Sequence, residues 1–341
     1  LTGSSPRALT RAAGLIASVA ATLFGLILVT FLIGRVVPID PVLAIVGDRA
    51  TADTYARIRS ELGLDLPLWR QFLRYLVAVL QGDLGTSILT SRPVLDDVLR
   101  VFPATLELAT VAVVIGAALG IPAGVLAATH RGGWLDHIIR LLGLIGHSAP
   151  IFWLGLMGLL LFYAKLDWVP GPGRVDVFYE GLVDPRTGVA TIDALLAGET
   201  DVFWSALHHL VLPASILGLY SVAYIARMTR SFMLDQLRQE YITTARVKGL
   251  SEVRVVWRHA LGNIAVPLIT VIALSYATLL EGSVLTETVF AWPGLGLYIT
   301  NSLLSADMNA VLGGTLVVGV VFIGLNLLSD LLYRLLDPRA R

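Results

Sequence analysis

Six stretches of this chain contain no Asp, Glu, Lys or Arg: residues 12–34, 108–129, 141–164, 202–226, 261–280 and 308–329. An α-helix rises about 1.5 Å per residue, so roughly 20 apolar residues cross a hydrocarbon layer about 30 Å thick. All six stretches reach that length. Together, within 341 residues, they exclude an ordinary soluble domain. Composition agrees, with 56% of residues hydrophobic and only 15% charged, where soluble domains carry about a quarter. The mean hydropathy is +0.77. The expected fold is an all-α membrane protein with six transmembrane helices. Arg7 and Arg11 ahead of the first stretch resemble the start of a signal peptide. That apolar run is longer than a signal core, however, and no A-x-A site follows it, so we read it as an uncleaved first span.

Orientation follows from the basic residues, because short cytoplasmic loops are enriched in Lys and Arg. An inside N-terminus gathers Arg7, Arg11, Arg131, Arg140, Arg227, Arg230, Arg238, Arg246, Lys248, Arg254, Arg258, Arg334, Arg339 and Arg341 on the cytoplasmic side. These 14 cations stand there against six acids, Asp136, Asp235, Glu240, Glu252, Asp330 and Asp337. The outer side then holds the other 11 of 25 basic and 19 of 25 acidic groups. Both termini are therefore expected in the cytoplasm. The zero net charge is the sum of an inner face at +8 and an outer face at −8.

Several chemistries are excluded. The chain has no cysteine, so it carries no disulfide, no Cys-ligated zinc or iron-sulfur cluster and no thiol nucleophile. It has no G-x-x-x-x-G-K-[ST], no H-E-x-x-H and no G-x-S-x-G, so nothing marks it as an ATPase, metalloprotease or hydrolase. We expect no enzymatic activity and no cofactor or metal in this chain, and neutrality argues against nucleic acid as a partner. His208 and His209 are adjacent near the outer end of a helix and project about 100° apart, so they are read as interfacial rather than metal-binding.

Three polar segments are long enough to have structure. In the outer insertion, residues 37–103, a helix is expected from Thr51 and Asp53 to Gly63 and a second from Pro67. Leu68, Phe72, Tyr75, Leu76 and Val79 place one face of the second helix on the membrane surface or on a neighbour. Gly82, Asp83, Leu84 and Gly85 read as a turn, and Pro93 as the start of a short helix leading to the second span. The segment is either a passive surface subdomain or a contact for an external partner. Residues 165–201 hold seven acids with glycines and prolines and read as an exposed loop. The inner segment, residues 227–260, mixes seven basic and three acidic groups with apolar residues. It reads as two short amphipathic helices at a Gly249 elbow, the second capped by Ser251. Such an element is either a charged connector or a docking helix for a soluble partner.

Ionisable groups at the spans are candidate functional residues, since a charge in lipid costs at least a few kcal/mol. Glu107 is expected to pair at the interface. Glu281 and Glu287 are candidates for a water-filled path, with Trp292, Pro293 and Gly294 beyond them as a stiff turn suited to an outer gate. Pro213 and Pro267 are expected helix kinks, as is the segment at His147, Ser148 and Pro150.

The run Tyr241-Ile242-Thr243-Thr244-Ala245-Arg246-Val247-Lys248-Gly249 resembles the signature cytoplasmic loop of ABC-importer permeases in its peptide/nickel branch, Y-x-x-T-A-R-x-K-G. Thr243 stands where the wider superfamily has its defining Glu. Further stretches are similar to that family in the same order: P-I-D-P from Pro38, LGLDLP from Leu62, GDLGTS from Gly82, PATLEL from Pro103, SAPIFW from Ser148 and ETVFAWPGLG from Glu287. Ile39 departs from the usual P-G-D-P. The chain is thereby identified as similar to B-type permease subunits of dipeptide/oligopeptide/nickel importers.

That resemblance implies a type I permease fold: a first span (1–36), an extracytoplasmic helical insertion (37–103) and a five-helix core (104–341). It further implies a location in the bacterial inner membrane, a second permease subunit in a heterodimer, two cytoplasmic subunits using ATP and Mg, and an external substrate-binding protein. By the same resemblance Glu240, Tyr241, Thr244, Ala245, Arg246, Lys248, Gly249 and Trp257 form the ATPase-coupling element. Short peptides are the implied cargo, with nickel chelates, glutathione or another small solute as the alternative. A stand-alone ion-coupled carrier is the alternative of another class, but it would need paired repeats that residues 1–170 and 171–341 do not show.

Overall fold

In a computed structural model the described residues are 6–36, 41–47 and 50–336. The Pro38–Asp40 part of the P-I-D-P stretch, the side chain of His147, and Asp337, Arg339 and Arg341 lie outside them. The helices, in chain order, are α1 (Pro6–Val36), α2 (Pro41–Val46), α3 (Ala52–Glu61), α4 (Leu68–Leu80), α5 (Val94–Thr129), α6 (Trp134–Ser148), α7 (Ile151–Gly158), α8 (Ala190–Ala197), α9 (Thr200–Gln236), α10 (Glu240–Val247), α11 (Glu252–Arg254), α12 (Leu261–Asn263), α13 (Ala265–Val289), α14 (Leu295–Leu304) and α15 (Met308–Leu336). No strand occurs among the described residues. Within α1, α5, α9, α13 and α15 there are five segments long and apolar enough to cross a membrane, and α6 with the α7 segment makes a sixth, bent pair.

One expectation about these elements holds and three are corrected. The third stretch breaks where the kink is expected, at Ser148–Pro150, and α6 and α7 meet at 96°. Pro150 lacks an amide hydrogen and disfavours helical backbone at Ala149, which is extended at ψ 132°. Pro93 does not start a separate short helix, because α5 runs unbroken for 36 residues with Pro103 and Pro122 inside it. Pro267 is no kink; it stands in the first turn of α13, where an amide hydrogen has no intrahelical partner to lose. The inner loop begins later than expected, since α9 carries Arg227 to Gln236 as helix.

The chain divides into two compact units, residues 1–100 with 298–323 and residues 101–297 with 324–341. In the first, α4 packs its expected apolar face on α1. Phe72 meets Phe24 and Phe31 edge-on at 5.7 and 5.3 Å, and Tyr75 lies 5.8 Å from Phe31. Thr51 caps α3 through its hydroxyl, which accepts from the Thr54 amide.

The Gly82–Gly85 turn uses two left-handed glycines, and Asp83 accepts from the Gly85 amide at 2.9 Å. This turn leads into a clasp on the start of α15. The Ser87 hydroxyl and the Leu89 amide donate to Asp307 at 2.6 and 3.1 Å, and Asn309 donates to the Thr86 carbonyl at 3.0 Å. Thr90 and Arg100 both donate to buried Asp97. The Tyr298 phenol is pushed up to about 12 by its burial and by the charges of Asp97 and Asp307.

The second unit is built on α9, which packs against α6, α8 and α13. Gly116, Gly120 and Gly124 let α5 approach α9 closely. A Cβ on Gly124 would stand 2.6 Å from the Ala226 carbonyl oxygen and from Thr229 Cβ. Across α9 and α13, the buried Ser221 and Ser275 hydroxyls share a 2.8 Å hydrogen bond. We expect Gly124→Leu to destabilise this packing by about 1–3 kcal/mol, the cost of overpacking a close-packed interior. Thermal unfolding of the purified chain checks this, and an unchanged midpoint would mean that the helices separate freely.

Candidate functional site

The inner segment combines a rigid mount with an exposed crest. Ile242 and Ala245 of α10 are buried with Val255, Val256 and Ala260 of the following π-helical turn, against Val125 and Ala128 of α5 and Met233 of α9. This apolar underside anchors the segment to two long helices. Tyr241 adds a tie, its hydroxyl donating to Gln236 at 2.7 Å. The opposite side is open. Val247 is 82% and Val253 72% exposed, Trp257 and Tyr241 are partly exposed, and Glu240, Thr244, Arg246 and Lys248 also face outward.

Gly249 makes the elbow between α10 and α11 at φ +79°, a left-handed conformation that costs an L side chain roughly 1–2 kcal/mol. A Cβ there would meet nothing within 4 Å, so its backbone rather than crowding calls for glycine. Arg246 and Glu252 clamp the elbow from either side at 3.1 and 2.5 Å. Hydrogen bonding to Arg246 holds the Glu252 carboxyl below its ordinary range, and the same contact raises Arg246. Ser251 occupies the cap position of α11, but its hydroxyl makes no capping bond; its carbonyl accepts from Val255 instead, which corrects the expected side-chain cap.

At the other end of the second unit, the expected gate residues separate into two groups. Glu281 is exposed and so is Pro293. Glu287, the other candidate for a water-filled path, is fully buried within this chain. Its carboxylate accepts from the Ser283 hydroxyl at 2.9 Å and from the Gly296 and Leu297 amides at 2.6 and 3.1 Å, with the Thr105 hydroxyl as a further donor. It thus holds the turn after α13 and satisfies the orphan amides that begin α14.

Trp292 is buried beside it, its Nε1 donating to the Ala104 carbonyl at 2.8 Å, while the Leu295 amide donates to Thr105. Glycine is required at 294 and 296 because a Cβ would come within 2.5 Å of Glu287 Oε2 and of Val284 Cα respectively.

Glu107 pairs as expected. Arg174 donates to it at 3.1 and 2.5 Å, and the Thr191 amide and hydroxyl reach its other oxygen at 3.1 and 2.6 Å. Arg174 also lies 5.6 Å over the Trp292 ring. The 165–201 loop is thereby pinned to α5 and to the outer turn, which loop composition does not reveal. His208 is exposed, and His209 is buried with Nδ1 2.8 Å from the Ser205 carbonyl.

Comparison with known proteins agrees with this arrangement. The family described as binding-protein-dependent transport system inner membrane component matches residues 120–341, and its N-terminal companion family matches residues 10–109. The chain is 46% identical over 318 residues to the probable D,D-dipeptide transport system permease protein DdpB of Escherichia coli K12, covering 92% of each. It is 44% identical over 321 residues to the di/tripeptide transport system permease protein DppB of Pseudomonas aeruginosa, covering 94% of this chain and 95% of that one. Among solved structures, a chain of the inward-facing MetNI methionine ABC transporter superposes with a TM-score of 0.51 at 18% identity, over 69% of this chain and 93% of that one, which speaks for the fold. The chain belongs to the binding-protein-dependent transport system inner membrane components, as a multi-pass, non-catalytic permease of the bacterial inner membrane.

Proposed function

We propose that this chain is one of two membrane-spanning halves of an ATP-driven importer for di- and oligopeptides. The observation that carries the reading is the anchored inner segment with its exposed crest. An element fixed by its apolar underside to α5 and α9 can pass a push on Val247, Val253 and Trp257 into those helices without being absorbed locally. The peptide cargo rests on the names of the relatives at 44–46% identity.

In this reading the crest, from Glu240 to Trp257, docks on one of two cytoplasmic ATPases that hold ATP and Mg. A homologous second permease completes the pore, and an external binding protein delivers the solute. The chain itself holds no cofactor. Its part is mechanical: closure of the ATPases draws the elbows of the two permeases together, and the spans alternate between inward and outward openings.

The test is uptake in proteoliposomes holding the permease pair, both ATPases and the binding protein. Labelled dipeptide is expected to accumulate only with ATP and binding protein present. Accumulation by this chain alone on an ion gradient would overturn the importer reading. Uptake of a nickel chelate or glutathione without dipeptide uptake would overturn the cargo.

A further inference from the structure

A cavity of about 400 Å³ lies between α6 and α9 in the second unit, within the size range of small-molecule sites. Its polar edge is arginine: Arg140 on α6, and Arg227 and Arg230 on α9. Apart from Ser231, its remaining wall is largely apolar, with Gly143, Leu144, Ala223 and Tyr224.

The charges do not balance within it. Asp136, buried beside the cavity, takes Arg230 in a bidentate pair at 2.7 and 2.9 Å and accepts the Gly132 amide at 3.0 Å. Arg140 reaches the same carboxylate only at 3.8 Å and stays half exposed. Arg227 lies over the Tyr224 ring at 5.7 Å. Two guanidinium groups therefore share one carboxylate that Arg230 already occupies, and the third, Arg227, faces an aromatic ring.

The depth of the site is also defined. Arg140 is the last charge before the 141–164 apolar stretch, and Arg227 is the first charge after the 202–226 stretch. Both mark the hydrocarbon boundary on the basic side of the membrane. Beside the cavity, α6 exposes Leu141, Leu142, Leu144 and Ile145, a strip on which acyl chains can lie.

We propose that this cavity holds an anionic phospholipid of the cytoplasmic leaflet, its phosphate between Arg140 and Arg227 and its chains along α6. A soluble anion would satisfy the arginines but leave the apolar wall and strip uncovered. A phospholipid satisfies both, and guanidinium forks suit phosphate oxygens. Basic pockets between spans on the cytoplasmic side bind anionic headgroups for these reasons. The proposal concerns the membrane contact of this chain and stands whatever the importer carries.

The experiment uses the full chain in nanodiscs of equal parts phosphatidylethanolamine and phosphatidylglycerol, with retained lipid read by native mass spectrometry. We expect phosphatidylglycerol to be retained over phosphatidylethanolamine. The preference should fall about 25-fold in the double variant R140Q/R227Q, at about fivefold per surface arginine, and R140K/R227K should keep part of it. Equal retention of both lipids by the unaltered chain, or an undiminished preference in R140Q/R227Q, would overturn the proposal. Displacement of the lipid by inorganic phosphate would assign the site to a soluble anion instead, and so overturn it. Repeating the measurement on the assembled importer adds a last check: absence of lipid there would make the cavity an interface between subunits and overturn the proposal.

Discussion

A chain carrying Gly249→Ile is expected to insert and fold normally yet to lose ATP-driven uptake. The left-handed backbone at φ +79° penalises any L side chain, by about 1–2 kcal/mol in the general case and more for a β-branched one. The elbow population then shifts by at least about fivefold away from the geometry that aligns α10 with α11. No part of this effect is crowding, because a Cβ at this position meets nothing within 4 Å. The buried underside of the segment, with Ile242, Ala245 and Val255, is untouched, so stability should stay near that of the unaltered protein. The assembled importer should hydrolyse ATP without moving solute, and Gly249→Ala should show the same defect more weakly. Hydrolysis and uptake measured on one preparation decide the matter: uptake at the normal rate in the isoleucine variant would refute the coupling role of the elbow.

Glu287→Ala should act in the opposite way, on folding first. Removing the carboxylate takes the acceptor from the Gly296 and Leu297 amides in a buried site and leaves the Ser283 hydroxyl to the Leu280 carbonyl. Each unsatisfied buried group costs about 1–3 kcal/mol, so the two amides alone predict about 2–6 kcal/mol. The turn bearing Trp292 would loosen, and with it the bonds to Ala104 and Thr105 that close it on α5. We expect a markedly lower thermal midpoint and less protein in the membrane, with Glu287→Gln intermediate because its amide keeps one acceptor oxygen. Glu281→Gln, altering an exposed carboxylate, should leave the midpoint unchanged. If Glu287→Ala instead keeps the normal midpoint and loses only transport, the residue belongs to the solute path after all.

The two predictions differ because the residues were legible to different degrees. Gly249 sits in a local pattern, a helix, a glycine and a second helix, and its role depends on its own backbone. Glu287 looks like a candidate path residue because a carboxylate at the end of an apolar helix is costly unless it is used. What uses it are donors from the next helix and from Thr105, about half the chain length away. Nothing in the local pattern shows that PATLEL and ETVFAWPGLG close on one another through Trp292 and Ala104, or that GDLGTS clasps Asp307.

Taken alone, the sequence determines the membrane class, the six apolar stretches and the polarity of the two faces, along with the elbow. These follow from hydropathy, charge and glycine position, which act on neighbouring residues. Only the tertiary structure decides that α5 absorbs the helix expected at Pro93, that the bend expected at Pro150 reaches 96°, and which distant groups Glu107 and Glu287 bond. The physical reason is range. Burying apolar surface needs no particular partner, whereas a hydrogen bond or ion pair exists only where folding brings two specific groups within about 3 Å.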